Sequence, residues 1–274
     1  MHVQHAAASA GAGACARGAR GPTICTGGSS GERTGPLSCN ALEELDFDRI
    51  PEGVASWRDE EDARRRVAVD WTEDRVTMRL RLHPQPAYPF ALDLGVQYVI
   101  NAGGLAVTLT ATNVGDGPAP FGAGFHPYLT AGTALVDDAV LTVPAEAWMP
   151  ADDAGIPTGE RRPVDGDLDL RAGRAIGGSV LDHCFTGLDR DADGRAAVSL
   201  DGPAGRLRLW MDGAFGFVMV FTGDTLPPER RRRGVAVEPM SCAADAFNSG
   251  AGLVALHPGG QFVGSWGIAV DPAA

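Results

Sequence analysis

From Val67 onward the chain alternates polar and apolar residues with a period of two, and this regularity restricts the fold more than any other property of the sequence. A strand points successive side chains to opposite faces, so a period of two describes a ribbon with one buried face. "DRVTMRLRL" places Val76, Met78, Leu80 and Leu82 on one face, and "GLAVTLTATN" does the same with Leu105, Val107, Leu109 and Ala111. Further runs follow at "AVLTVP", "AAVSLDG", "GRLRLWMDG", "GFVMVFTG", "GVAVEPM" and "QFVGSWGIAVD", each bounded by Gly, Pro, Asp or Asn. At least nine strands joined by short turns, with no amphipathic helix between them, predict an all-β protein. Without an internal repeat a propeller is disfavoured, and residues 67–274 are expected to form one large antiparallel β-sandwich. A curved sheet of that kind offers a concave face on which residues from several strands can meet a small polar ligand.

The pattern does not extend to the N-terminus. Residues 1 to about 40 are biased towards Gly, Ala, Ser, Arg and Cys without apolar periodicity, and are expected to be loosely ordered. From 42 to 66, "LEELDFDRI" and "SWRDEEDARRR" predict a turn or two of helix, interrupted by Pro51 and Gly53. Residues 1–66 therefore read as an atypical segment ahead of the sandwich.

Composition narrows the partners. With 44% hydrophobic residues the chain can bury a sizeable core, while a net charge of −12 repels phosphate backbones and anionic lipid, so neither nucleic acid nor a membrane surface is expected. The basic run Arg230 to Arg233 follows two prolines and reads as a solvated loop. Five cysteines without a C-x-x-C pair indicate neither a disulfide framework nor a zinc site. No run reaches the roughly eighteen apolar residues of a membrane span, and the first residues lack the apolar core of a signal peptide, so a cytoplasmic location is expected.

Two tempting motifs fail. "GGSSG" at 27–31 matches a nucleophile elbow but has no strand before it and no helix after it. "DRDADG" at 189–194 opens like a calcium loop, yet Leu200 stands where the closing glutamate belongs, and a β-turn is the expected structure. No metal and no cofactor are implied.

His126 and Glu238 remain. In "PFGAGFHPYL" glycines permit close backbone approach to a ligand, Pro127 stiffens the exit, and Phe125 and Tyr128 supply apolar and stacking surface around His126. Glu238 follows the apolar run "GVAV" at or near the end of a buried strand, where a carboxylate needs a partner or a task, and Pro239 holds it extended. Each alone could be structural. Together, a histidine titrating near neutrality and a carboxylate form a general acid and base that can move protons at two atoms of one substrate.

The segments "PFGAGFHPYL", "LDHCFTGL" and "VAVEPMSCAADAFNSG", in that order, with "LHPQPAYPFAL" at 82–92 and "LHPGGQFVGSWGIAV" near the end, closely resemble the aldose 1-epimerase, or galactose mutarotase, family. The resemblance runs from about residue 67 to the end. It implies a β-supersandwich and interconversion of the α and β anomers of a free hexose or a related aldose such as a sugar phosphate. It further implies that Glu238 takes the proton from the C1 hydroxyl, that His126 protonates the ring oxygen, and that Asp182 hydrogen-bonds sugar hydroxyls.

The resemblance is incomplete upstream. Family members carry opening strands, a sugar-binding arginine in an Asn-Arg segment and a second histidine in a His-Gly motif; here Glu52 stands where the histidine would fall, and Arg49 could imitate the arginine. An N-terminal quarter truncated or out of frame relative to the family is one expectation. It leaves a second functional reading, a non-catalytic sugar-binding relative on the same fold.

Overall fold

The computed structural model of the chain describes residues 54–58, 66–85, 88–153 and 155–272; the Gly/Ala/Ser-rich stretch 1–40 lies outside them. Hairpins build the larger sheet. β1 (Val54–Arg58), β2 (Arg66–Trp71), β3 (Arg75–Leu82), β4 (Leu92–Asn101) and β5 (Gly104–Asn113) follow one another as antiparallel neighbours. The sheet continues through β18 (Gln261–Pro272), β14 (Gly205–Met211), β13 (Ala196–Gly202), β8 (Val140–Thr142) and β11 (Arg174–Ala175) to ten strands.

The second sheet has six strands in the order β10 (Arg162–Pro163), β9 (Ala145–Met149), β12 (Asp182–Leu188), β15 (Phe217–Phe221), β16 (Val235–Met240) and β7 (Tyr128–Leu129). A small ribbon of β17 (Val254–Leu256) and β6 (Ala119–Phe121) joins them, and the one α-helix among the described residues is a single turn, Ala246–Ser249. The architecture is the antiparallel all-β sandwich that the alternation predicts.

Register places the core. Leu94, Val96 and Tyr98 of β4 lie opposite Ala111, Leu109 and Val107 of β5, and Phe262 and Trp266 of β18 continue the rows of Ala111 and Val107. They face Phe185, Val218, Val220 and Val237 of the six-stranded sheet, and all join one buried cluster except Tyr98, which packs against it. Phe125 bridges the layers, packed on Trp266 at 5.2 Å and on Phe215 at 6.1 Å between ring centroids.

One expectation is corrected. The helical turn read into "SWRDEEDARRR" does not form where the structure describes that stretch: Ser56, Trp57 and Arg58 belong to β1, paired with Ala68, Val67 and Arg66 of β2. Among the described residues, strand structure thus begins at Val54, ahead of position 67. "VASWR" is too short to display a period before the charged run begins, and pairing with β2 decides its conformation, since tertiary context overrides weak local preference.

Candidate active site

The six-stranded sheet shows two faces. Partners in an antiparallel ladder point to the same side, so Asp182, Phe221, Ala236 and Tyr128 form one row across β12, β15, β16 and β7. Met149, Cys184, Met219 and Glu238 form the next row on the same face. The opposite face carries the fully buried Phe185, Val218, Val220 and Val237. Alternation within "VAVEPM" therefore turns Glu238 away from the core that its neighbour Val237 enters.

His126 reaches this face by a different route. The segment 122–127 between β6 and β7 is bonded along β16: Phe125 N–H donates to Pro239 O at 3.1 Å, Val237 N–H to Pro127 O at 3.1 Å, and Ser241 N–H to Ala123 O at 2.8 Å. The Ser241 hydroxyl accepts from Ala123 N–H at 2.8 Å. Two of these bonds flank the pair, so the backbone itself sets His126 beside Glu238. The glycines serve this docking rather than a ligand: a Cβ on Gly122 would stand 2.2 Å from Cys242 Sγ, and one on Gly124 would stand 3.2 Å from Met240 Cγ. The close approach read from "FGAG" is strand against strand.

The result is a direct contact between the two titratable groups, with His126 Nε2 3.0 Å from Glu238 Oε1. Their side chains are 19% and 14% exposed, so solvent reaches the pair but screens it weakly. The Tyr128 ring lies almost parallel to the His126 imidazole, 5.0 Å between centroids at 26°, and remains 46% exposed. Burial raises the Tyr128 hydroxyl's pKa, and the carboxylates of Glu238 and Asp182 raise it further, which places all three in one electrostatic neighbourhood.

Asp182 stands at the exposed start of β12. Partial burial raises its pKa, opposed by the nearby His183 and His126. Its backbone N–H donates to His183 Nδ1 at 3.0 Å, which leaves Nε2 as the protonated nitrogen of a neutral ring. Burial lowers the His183 pKa accordingly, and the ring packs edge-on against Trp148 at 5.3 Å. Cys184, in the same row as Glu238 with Met219 between them, is pushed up to about 12, chiefly by burial, and behaves as a small apolar residue.

The structure thus brings His126, Glu238 and Asp182 to one face. Sequence reasoning passed over Met219 and Cys184, because their place in the row of Glu238 is set by strand pairing that neither "FVMVF" nor "DHCFTGL" displays locally. It also misread Arg232. The run Arg230 to Arg233 is exposed at the other three positions, but the Arg232 side chain is only 12% exposed. The residues 189–194 form the turn between β12 and β13, with the Asp191 carboxylate accepting the N–H groups of Asp193 and Arg195. Among the described residues, no three His, Cys, Asp or Glu side chains converge as metal ligands, and no helix is long and apolar enough to cross a membrane.

Comparison with known proteins gives the site a family. The sequence model of the family described as aldose 1-epimerase matches residues 57–266. The uncharacterized protein YihR of Escherichia coli (strain K12) is 33% identical over 208 residues, which are 76% of this chain and 63% of that protein, so the chain spans less than two thirds of this relative. Among solved structures, the GalM/aldose epimerase homologue from C. elegans superposes with a TM-score of 0.66 at 18% identity, covering 77% of this chain and 70% of the other. The galactose 1-epimerase from Lactobacillus acidophilus NCFM gives 0.59 at 20% identity, covering 80% and 66%. Both structures share the fold, and the sequence match across most of the sandwich shows that the chain belongs to the aldose 1-epimerase family.

Proposed function

We propose that the protein is an aldose 1-epimerase that interconverts the α and β anomers of a free hexose by acid–base ring opening and reclosure. The observation that carries this reading is the contact of His126 Nε2 with Glu238 Oε1 at 3.0 Å on the face of the sheet turned away from the core. Across such a contact an imidazole N–H donates and a carboxylate accepts, which is the pairing of proton donor and proton acceptor that the reaction uses.

A sugar entering between them presents its C1 hydroxyl to Glu238 and its ring oxygen to His126. Glu238 takes the hydroxyl proton as C1=O forms, the C1–O5 bond breaks, and O5 takes the proton from His126 Nε2. Rotation about C1–C2 exposes the other face of the aldehyde. The C5 hydroxyl then attacks C1 and returns its proton to His126, while the new C1 oxygen recovers its proton from Glu238. Both catalysts end as they began. Asp182, one row away on the same face, accepts hydrogen bonds from sugar hydroxyls and fixes the ring against the pair.

Polarimetry of freshly dissolved α-D-glucose and α-D-galactose tests this. Wild-type protein is expected to speed the approach to anomeric equilibrium over buffer, and Glu238→Ala is expected to match buffer. Soluble, folded wild type that accelerates neither sugar would refute the reading and favour a sugar-binding relative without catalysis.

A further inference from the structure

Arg232 is unusual in three ways at once. It is a non-glycine residue at φ 55°, it is nearly buried within an otherwise exposed basic run, and every arm of its guanidinium is used. Nε donates to Asp137 Oδ1 at 2.8 Å, Nη2 to Gly177 O at 2.6 Å, and Nη1 to Ser179 O at 3.1 Å and to Asp224 Oδ1 at 2.7 Å. Its own carbonyl accepts Val136 N–H at 2.8 Å. A left-handed residue and a desolvated guanidinium are both costly, and such a conformation persists only where the surroundings over-determine it.

The network continues towards the site. Asp224 Oδ2 accepts the hydroxyl proton of Thr222, which is fully buried. The same hydroxyl oxygen accepts Leu181 N–H at 2.9 Å, and Thr222 N–H donates to Leu181 O at 3.0 Å. Leu181 is the residue before Asp182, and Asp182 with Phe221 forms the last register pair of β12 on β15. A strand end frays at its last pair unless something beyond it is tied down. Thr222 supplies that tie, and its hydroxyl is oriented by an aspartate that Arg232 holds.

We infer that Arg232 is a positioning residue for the sugar-orienting carboxylate: through Asp224, Thr222 and the Leu181 backbone it fixes the end of β12 that carries Asp182. The inference rests on the mutarotase reading of the site. It separates from a merely structural clamp by its dependence on Asp182.

The test is a double-mutant cycle read in KM and kcat by polarimetry, with amide exchange alongside. Arg232→Met is expected to raise KM roughly tenfold with kcat within about threefold, and to change KM by less than about twofold in an Asp182→Ala background. Thr222→Val should repeat the KM effect while Thr222→Ser retains wild-type values, which keeps the test open if Arg232→Met fails to fold. Amides 181–182 should exchange faster in Thr222→Val, with those of β5 unchanged. Additive effects in the cycle, or an unchanged KM in Thr222→Val, would overturn the inference. Wild type inert on every sugar overturns the functional reading instead, and unchanged exchange at 181–182 in Thr222→Val would then independently overturn the clamp.

Discussion

The two sheets of the sandwich divide labour unequally. The ten-stranded sheet holds the long strands, up to the twelve residues of β18, and its first five strands are joined in chain order by hairpins. The six-stranded sheet has strands of two to seven residues drawn from distant parts of the chain, yet it carries Glu238, Asp182 and Tyr128 and docks the His126 segment. Long, regular pairing supplies a rigid layer that needs no special residues. The short strands, whose ends open onto loops, are where side chains of different segments can be set at chosen distances.

Substitutions in the two sheets should therefore fail in different currencies. The largest effect is expected from Glu238→Gln, which keeps shape and removes the base: the rate above buffer should fall about a thousandfold, near 4 kcal/mol, with the melting temperature little changed. Next comes Leu109→Ala in the larger sheet, a fully buried side chain whose loss should cost about 2–5 kcal/mol in denaturant unfolding and leave kcat of the folded enzyme intact. A matching fall in kcat would break the division between scaffold and site.

Asp182→Asn should raise KM about tenfold and, in the opposite sense, stabilise the protein. The folded pKa of Asp182 lies above that of an unfolded aspartate because burial disfavours its charge. The native state thus binds this proton more tightly, and stability falls as pH rises from about 4 through the folded value. Melting curves at neutral pH should show the asparagine variant ahead, and the advantage should vanish below about pH 4; a variant less stable at pH 7 would contradict the desolvation. The smallest effect is expected from Tyr128→Leu, which removes the ring stacked on His126: kcat should fall about threefold, and Tyr128→Phe should restore it.

The same division explains how much of the molecule was legible in the sequence. β3 and β5 display four apolar positions each at a strict period, so the scaffold was readable from local pattern. β9 and β12, "AEAWM" and "DHCFTGL", are short and partly buried on both faces, so no alternation marks them. His126 and Glu238 stood out because turn residues and a proline frame them. Arg232 did not, since a run of four arginines looks the same whether its third member is solvated or bonded to two aspartates. Burial of one charge among four is decided by partners at 137 and 224, and no local window contains both.

The zipper between residues 122–127 and β16 has a consequence for how the protein acquires activity. His126 and Glu238 are 112 positions apart in the chain, so the bonds that set them side by side span far more sequence than the hairpins of the larger sheet. Contacts of such span require long loops to close first, so they form late, after the hairpins of the larger sheet. On the proposed reading, the first appearance of mutarotation during refolding would mark the docking of this segment on β16, so that turnover would serve as a clock for assembly of the site.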